Sequence, residues 1–295
     1  MLTYPRGLRP RVVRATKGQG LLLGMRKYNE KEIKQLYKPA TESKGEDNGQ
    51  VTVVGGSDLF HGAPLLSLKI ASCIVDMVFF ATEEESVGKV AENIKSQLLS
   101  FIWIPWGEMG EYVGKSDAAL VGPGLKSFRS EKDKRTAYET KELVKALLLK
   151  FKDKRWVIDA GALQVMEADW IPRGAILTPN KKEYDNLFGD LVPEDAAKKY
   201  DCVIVLKGPT SLVAGPDDAV NVEGGNPGLT KGGSGDVLAG LAVALLAKNK
   251  PFEAAAAAAY VTKFAADELY KRVGTSYNAD DLTQQIPISF NELQK

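Results

Sequence analysis

The sequence predicts an α/β protein in which a mostly parallel sheet is covered by helices on both faces. Two observations predict it. Short apolar segments alternate with helical segments from residue 50 onward, and glycine-rich or polar turns follow nearly every apolar segment. Alternation at this spacing produces strand–helix–strand units, whose helices cover both faces of the sheet. No internal repeat or linker divides the pattern, so we expect a single domain at residues 25–295.

The predicted strands are short apolar runs, and the predicted helices lie between them. The strands cover residues 51–54, 77–81, 118–121, 156–158, 175–177 and 202–206. The helices cover residues 63–71, 86–98, 131–150, 181–188 and 193–199, after a polar helix that follows Met25. Segments 211–214 and 219–222 predict a hairpin-like edge to the sheet, and two long helices follow at 234–247 and 251–272.

The composition is that of an ordinary globular chain. With 44% hydrophobic residues and a net charge of +1, nothing predicts nucleic-acid binding, and no apolar run is long enough to span a membrane. Residues 1–24 carry basic and no acidic side chains, which predicts a disordered tail, with an organellar transit peptide as the alternative. Cys73 and Cys202 are expected to be buried, reduced thiols of a cytoplasmic protein, and with the single His61 they cannot form a zinc site.

The turns after the predicted strands carry residue types that are typical of a ligand site. They include Gly55-Gly56-Ser57, His61-Gly62-Ala63-Pro64, Gly122-Pro123-Gly124, Asp159-Ala160-Gly161, Thr178-Pro179-Asn180 and Lys207-Gly208-Pro209. Each turn could be structural by itself: Asp159 could cap the helix after it, and His61 is expected to be structural rather than catalytic. Because open parallel sheets bind ligands at the carboxyl ends of their strands, the turns together predict a site at that edge.

The segment NPGLTKGGSGDVLAG, residues 226–240, predicts a glycine loop that leads into a buried helix. Gly232, Gly233 and Gly235 precede Asp236, and an apolar series of helix-forming residues follows. The first amides of a helix have no intrahelical partners and, together with the helix dipole, favour an anion such as phosphate. A carboxylate at the same helix start therefore predicts a base placed beside a phosphoryl group.

Two common phosphate-binding patterns are excluded, because no strand is followed by GxxxxGK[ST] or by GxGxxG. The glycine-rich turn before Asp236 instead resembles that of ribokinase-like proteins, and residues 180–183 (NKKE) resemble their N-x-x-E motif. The ordered motifs VTVVGGS, HGAP, VGPGL, IDAGAL, LTPN, VLKG and GNPGLTKGGSGDVLAG resemble the NAD(P)H-hydrate dehydratase family over residues 43–288. This resemblance implies a ribokinase-like three-layer α/β/α sandwich.

The resemblance also implies the repair of NADHX and NADPHX, nicotinamide cofactors whose ring has taken up water. ADP or ATP would phosphorylate the hydroxyl of the hydrate, with Mg²⁺ present, and loss of phosphate would restore NADH or NADPH. Asp236 would be the general base. The implied anion-hole and nucleotide-binding residues are Gly232, Gly233, Ser234, Gly235, Lys207, Gly208, Pro209, Thr210 and Ser211. The implied substrate-binding residues are Ala63, Gly124, Asn180 and Asp236, and the implied magnesium ligands are Asn180 and Glu183.

Two alternatives remain open at this point. One is a small-molecule kinase of the same fold, such as a thiazole or hydroxymethylpyrimidine kinase. The other is a non-catalytic nucleotide-binding module, against which Asp236 and the intact glycine loop argue.

We expect a homo-oligomer that binds the small-molecule hydrate and neither nucleic acid nor membrane. Small residues at the strand ends are expected to make room for a dinucleotide, namely Gly55, Gly56, Gly62, Ala63, Gly122 and Gly124.

Overall fold

A single nine-stranded sheet forms the centre of the molecule. The computed structural model describes residues 25–85, 87–89, 100–128 and 134–295. The described strands are β1 (Gln50–Val54), β2 (Met77–Ala81), β3 (Ile102–Trp103), β4 (Ala118–Val121), β5 (Arg155–Ile158), β6 (Ile176–Leu177), β7 (Val203–Leu206), β8 (Ser211–Ala214) and β9 (Ala219–Val222). Their order across the sheet is β3-β2-β1-β4-β5-β6-β7-β8-β9. The strands β1 to β7 are parallel, so their carboxyl ends lie at one edge of the sheet. Strands β8 and β9 add an antiparallel hairpin after β7.

The strand predictions are confirmed to within one residue at each end, including the hairpin-like edge. Buried parallel strands consist of continuous apolar residues, which makes them visible in the sequence. The strand β3 was missed. It has only two residues, Ile102 and Trp103, which are exposed and half-buried respectively, so it lacks the apolar run on which the other predictions rested.

Helices cover both faces of the sheet. They include α1 (Gly62–Ala71), α2 (Met109–Lys115), α3 (Arg135–Lys150), α4 (Ala160–Val165), α5 (Lys181–Phe188), α6 (Pro193–Tyr200), α7 (Ser234–Leu246), α8 (Pro251–Val273) and α9 (Ala279–Gln294). One core lies between the sheet and helices α1, α7, α8 and α9, and a second lies between the sheet and helices α2 to α6. Successive side chains of β4, Leu120 and Val121, belong to different cores because strand side chains alternate between faces. The predicted three-layer α/β/α arrangement is therefore correct.

The helix predictions differ from the structure at four places. The polar helix expected after Met25 is a short 3₁₀ helix, Glu30–Gln35, which buries only Ile33. Helices α2, α4 and α9 were not among the predicted ranges. Helix α9 contains Pro287, a residue that usually argues against a helix interior. The predicted tail at 1–24, most of the predicted helix at 86–98 and the start of the predicted helix at 131–150 lie outside the described residues.

The two cysteines differ in burial, contrary to the prediction that both are buried. Cys202 is buried at the start of β7, and burial raises the pKa of its thiol to about 12. Cys73 is exposed, because it lies just beyond α1 on the side of the turn that faces solvent.

Within the part of the chain that the structure describes, no helix is both long and apolar enough to cross a membrane.

Candidate functional site

The candidate site lies where the carboxyl ends of β5, β6 and β7 meet the start of α7. The ends of β6 and β7 are joined beyond the strands by a parallel bridge between Asn180 and Lys207. The Lys207 amide donates a hydrogen bond of 2.9 Å to the carbonyl of Pro179. Predicted site residues from two different turns are thus held side by side at one edge of the sheet.

The glycine loop turns into α7 at Gly233, which has φ +93°. A Cβ atom at this position would lie 2.8 Å from Ala279 Cβ, which cannot move aside without moving α9, so both the backbone angle and the space favour glycine. The first hydrogen bond of α7 runs from the Val237 amide to the Gly233 carbonyl at 3.0 Å. The amides of Gly235 and Asp236 precede this bond, which leaves them at the helix start where an anion is favoured.

Close packing of α1 against α7 fixes the position of Asp236. At Gly240 a Cβ atom would lie 2.4 Å from the Ser67 carbonyl oxygen, so the two helices approach each other more closely than side chains would allow. In this contact the Ser67 hydroxyl donates a hydrogen bond of 2.7 Å to the backbone carbonyl of Asp236. The first turn of α7 is therefore held by α1 as well as by its own helix.

A buried ion pair lies next to Asp236. The Lys207 ammonium lies 3.0 Å from Asp159 Oδ1, which also accepts a hydrogen bond of 2.7 Å from the Thr178 hydroxyl. The Asp159 side chain is only 2% exposed. Asp159 occupies the position before α4, but its carboxylate makes no capping hydrogen bond. The helix-cap interpretation of Asp159 is therefore wrong, because its carboxylate turns away from α4 toward Lys207.

The surroundings of Asp236 make its carboxyl group a base for neutral pH. Burial, reinforced by the negative charge of Asp159, raises the pKa of Asp236 to about 7, while Lys207 acts in the opposite direction. Burial alone would lower the pKa of Lys207, but Asp159, Glu183 and Asp236 outweigh it, so the pKa of Lys207 is raised. Lys207 thus stays charged while Asp236 can gain or lose a proton near pH 7.

A cavity of about 580 Å³ opens beside the ion pair and the start of α7. Seven of the predicted site residues line it: Asn180, Lys207, Gly208, Pro209, Ser211, Ser234 and Gly235. The other lining residues come from the segment after β9 and from helices α7 and α8, namely Gly224, Gly225, Asn226, Pro227, Leu229, Thr230, Leu238, Ala259, Thr262 and Lys263. Its size suits a nucleotide, and the helix start and Lys207 provide a place for its phosphates.

The remaining predicted site residues lie around this cavity rather than in its wall. Ala63 is in the first turn of α1, one turn before Ser67. Gly124 lies in the turn after β4, where its φ is +75° and a Cβ atom would lie 2.4 Å from the Phe60 carbonyl oxygen. The start of α1 and the turn after β4 are therefore in contact, and Ser67 connects α1 to Asp236.

Three strand-end glycines, Gly55, Gly122 and Gly124, lie against protein backbone, which is a different purpose from the one predicted. A Cβ atom at Gly55 would lie 2.2 Å from the Pro123 carbonyl oxygen, and one at Gly122 would lie 1.9 Å from the Asp159 carbonyl oxygen. At these positions glycine lets neighbouring turns approach each other, and the space that it leaves is filled by protein backbone. By contrast, nothing lies within 4 Å of a Cβ atom at Gly62 or Gly232 in the described part of the chain.

The predicted magnesium ligands form a helix cap. Asn180 Oδ1 accepts hydrogen bonds of 3.0 Å from the amides of Lys182 and Glu183. Glu183 Oε2 accepts a hydrogen bond from the Asn180 amide at 2.9 Å, and Oε1 accepts one from Gln164 at 3.0 Å. Each Glu183 oxygen keeps a second lone pair beside the one that accepts a hydrogen bond, so the cap is compatible with a contact to Mg²⁺, directly or through water. Among the described residues, no group of three His, Cys, Asp or Glu side chains could hold a metal ion.

Sequence reasoning missed the contribution of α8. The Lys263 ammonium is buried and donates hydrogen bonds to the carbonyls of Gly208, Pro209 and Gly224 at 3.2, 2.5 and 2.9 Å. These carbonyls belong to the turns after β7 and β9, so Lys263 holds together two loops that line the cavity. The available signal was a polar pair, Thr262-Lys263, between the apolar stretches 254–261 and 264–266.

Comparisons with known proteins find matches over most of the chain. The sequence profile of a family described as NAD(P)H-hydrate dehydratase matches residues 51–288. The bifunctional NAD(P)H-hydrate repair enzyme of Methanocaldococcus jannaschii is 33% identical over 270 residues, covering 87% of this chain and 51% of that protein. The ADP-dependent (S)-NAD(P)H-hydrate dehydratase of Cenarchaeum symbiosum is 31% identical over 274 residues, covering 83% of this chain and 90% of that protein.

The chain thus spans about half the length of the bifunctional relative. Among solved structures, a ribokinase-like superfamily protein from Enterococcus faecalis superimposes with a TM-score of 0.79 at 22% identity. The match covers 92% of this chain and 98% of the other. This likeness shows that the three-layer sandwich is ribokinase-like, as the sequence resemblance implied.

Proposed function

Because the chain belongs to the NAD(P)H-hydrate dehydratase family, we propose that it dehydrates (6S)-NADHX and NADPHX to NADH and NADPH at the expense of ADP or ATP. The observation that carries this proposal is the position of Asp236. Its carboxyl group, with a pKa of about 7, is in the first turn of the helix whose start would hold the transferring phosphoryl group. A base at that place activates a hydroxyl toward phosphate.

The proposed reaction has two steps, phosphorylation of the substrate hydroxyl and elimination of phosphate. Asp236 accepts the proton of the substrate hydroxyl as the hydroxyl oxygen bonds to the terminal phosphorus of the nucleotide and the bridging phosphoanhydride bond breaks. The amides of Gly235 and Asp236 donate to the phosphoryl oxygens, and Lys207 offsets their negative charge. The carbon–oxygen bond then breaks, inorganic phosphate leaves with the bonding electron pair, and a ring proton passes to solvent as the double bond of the dihydronicotinamide is restored.

The two substrates are assigned to neighbouring regions of the site. The nucleotide occupies the cavity lined by Lys207, Gly208, Pro209, Ser211 and Gly235, with Thr210 in the same turn. The hydrate approaches Asp236 from the side of Ala63 and Gly124, next to Asn180. This division is supported by the hydrogen bond from Ser67 of α1 to the backbone carbonyl of Asp236, since Ala63 lies one turn before Ser67.

Magnesium ion accompanies the nucleotide in this proposal, as a counter-ion to its phosphates. Proteins usually bind Mg²⁺ through substrate phosphates, several waters and one or two carboxylates. Since Asn180 and Glu183 are engaged in a helix cap, no step of the proposed mechanism depends on coordination by them.

A reducing, cytoplasmic environment is proposed as the location, because both cysteines of the chain are free thiols and neither is in a disulfide.

We also propose a homo-oligomer. The exposed apolar side chains of Tyr270, Val273 and Ile288 on α8 and α9 are the part of the surface that we propose for the contact between subunits. Sedimentation velocity on the full chain tests this point, and a monomer at micromolar concentration would contradict it.

The experiment that tests the proposed function separates a dehydratase from a kinase. Hydrated NADH, Mg²⁺ and either ADP or ATP are mixed with the protein, and near-ultraviolet absorbance and inorganic phosphate are followed together. We expect NADH absorbance to recover with one phosphate released per NADH formed. Phosphorylation of a hydroxyethylthiazole or hydroxymethylpyrimidine, with no recovery of absorbance from either hydrate, would establish the kinase alternative instead.

A further inference from the structure

A buried lysine connects two loops at the end of the β8–β9 hairpin. Ser211 of β8 and Val222 of β9 are the last paired residues at this edge of the sheet, so the backbone ladder ends there. Just beyond them, the Lys263 ammonium donates two hydrogen bonds to carbonyls of the turn after β7 and one to a carbonyl of the segment after β9. Lys263 therefore continues the connection between the two chains beyond the end of the ladder.

The environment of Lys263 is unusual for a charged side chain. The residue is only 6% exposed. Burial lowers the pKa of its ammonium group, while Asp267, one turn further along α8, acts in the opposite direction. Burying a charge is unfavourable unless hydrogen bonds compensate for the lost water, and the three backbone carbonyls match the three donors of an ammonium group. The hydrogen-bonding capacity of Lys263 is therefore used to hold the two loops.

The two loops depend on Lys263 to different degrees. The segment after β9 is also held by Asp267, whose carboxylate accepts hydrogen bonds from the Gly225 amide at 2.8 Å and from Asn226 Nδ2 at 3.1 Å. The turn at residues 208–209 is exposed, and among the described residues its hydrogen bonds to α8 come from Lys263. We therefore expect that loss of Lys263 would release the turn after β7 before the segment after β9.

We propose that Lys263 is a positioning residue for nucleotide binding, which holds the turn after β7 in the shape that ADP or ATP requires. This inference rests on the proposed function, because that function places the nucleotide in the cavity that both loops and Lys263 line. A loop that already has its bound shape loses less conformational entropy when the ligand binds, so the affinity is higher. Because Lys263 acts on the two loops, we expect it to affect nucleotide affinity and not proton transfer to Asp236.

The experiment compares the parent protein with Lys263→Met and Leu269→Ala by calorimetric titration with ADP. Methionine keeps an unbranched apolar side chain and removes the three donors. Leu269 is buried in the apolar core later on α8, outside the cavity wall, so Leu269→Ala is a control for lost stability. We expect Lys263→Met to bind ADP about tenfold more weakly than the parent. Leu269→Ala should bind ADP within about twofold of the parent, although its melting temperature falls.

Steady-state kinetics provide a readout that a purely structural role would not change. In Lys263→Met, we expect KM for the nucleotide to rise by about tenfold, with kcat at saturating nucleotide and KM for the hydrate within about twofold of the parent. This pattern is the one expected when an interaction contributes equally to binding in the ground state and the transition state.

The other outcomes each overturn a defined claim. Unchanged ADP affinity in Lys263→Met would overturn the proposal, and so would an equal loss of affinity in Leu269→Ala, because the effect would then follow stability alone. A fall in kcat with an unchanged KM for the nucleotide would also overturn it. If Lys263→Met does not fold, Lys263→Gln, which keeps one amide donor group on a shorter side chain, is titrated against the same control and judged by the same outcomes. Failure of the parent to bind ADP or ATP would reject the proposed function itself.

Discussion

The ammonium group of Lys207 lies 3.0 Å from Asp159 Oδ1, and this ion pair joins the carboxyl ends of β5 and β7 beside Asp236. The two partners act on Asp236 in opposite directions, since Asp159 raises its pKa and Lys207 lowers it. Burial adds to the effect of Asp159, so the outcome is a carboxyl group that titrates near neutrality. The ion pair therefore changes the pKa of Asp236 through its charges, without a hydrogen bond to the Asp236 side chain in the described structure.

The pH dependence of turnover is the first consequence. Asp236 must be deprotonated to accept a proton, and its pKa is raised to about 7. Activity should therefore increase as pH rises through 7, by about tenfold between pH 6 and pH 8, and level off above that. The measurement is kcat/KM for the hydrate at saturating nucleotide. A profile that is flat from pH 5 to pH 8 would mean that Asp236 is not the base.

Neutralising Asp159 should move this profile toward lower pH. Asp159→Asn removes a negative charge that raises the pKa of Asp236, and it leaves Lys207 without its anionic partner. Both effects lower the pKa of Asp236, by on the order of half a unit to one unit. Asp217→Asn, in an exposed turn between β8 and β9, is the matched control and should leave the profile unchanged. A shift toward higher pH in Asp159→Asn would contradict the electrostatic account.

The glycine loop offers a test of the local structure. Gly233→Ala places a methyl group 2.8 Å from Ala279 Cβ at a residue with φ +93°, and should lower the free energy of unfolding by about 1–3 kcal/mol. Gly232→Ala is the control, because the added atom would have nothing within 4 Å of it in the described structure. Chemical denaturation of both variants checks the difference. Equal destabilisation would show that the turn is positioned by other contacts.

The helix cap at Asn180 and Glu183 can be distinguished from a metal site. Glu183→Ala should lower the free energy of unfolding by about 1 kcal/mol, because it removes the acceptor for the Asn180 amide. Glu183→Gln keeps one such acceptor and should recover part of that loss. Neither change should move the Mg²⁺ concentration that gives half-maximal activity. An increase of about tenfold or more in that concentration would identify Glu183 as a metal ligand.

Much of the fold could be predicted because it depends on local patterns. Buried parallel strands such as 118–121 are apolar runs that can be recognised in the sequence. In the hairpin 211–222, two such runs are separated by turn residues. Helix α9 could not be predicted in this way, since Pro287 lies inside it and its stability comes from a capping box at Asn278 and from packing on α1 and α8. The very short strand β3 carries almost no local signal at all.

The site was predictable in part for the same reason. The loop that leads to Asp236 and the turn at residues 207–211 are contiguous in sequence, so their residue types could be recognised together. The turn at Asp159 was predicted to belong to the site, but its ion pair with Lys207 could not be predicted, because it joins residues from distant parts of the chain. Thr262 and Lys263 reach the cavity only because α8 packs against α7, which no local pattern indicates.

The most direct test of the account is the Asp236→Asn variant, assayed for NADH formation from hydrated NADH when the chemical step limits the rate. Asparagine keeps the size of the side chain but cannot accept the proton, so the rate should fall by about 10²- to 10⁴-fold. Nucleotide affinity should change little, and Asp217→Asn should remain fully active. A variant that keeps half the parental rate under these conditions would contradict the assignment of Asp236 as the general base.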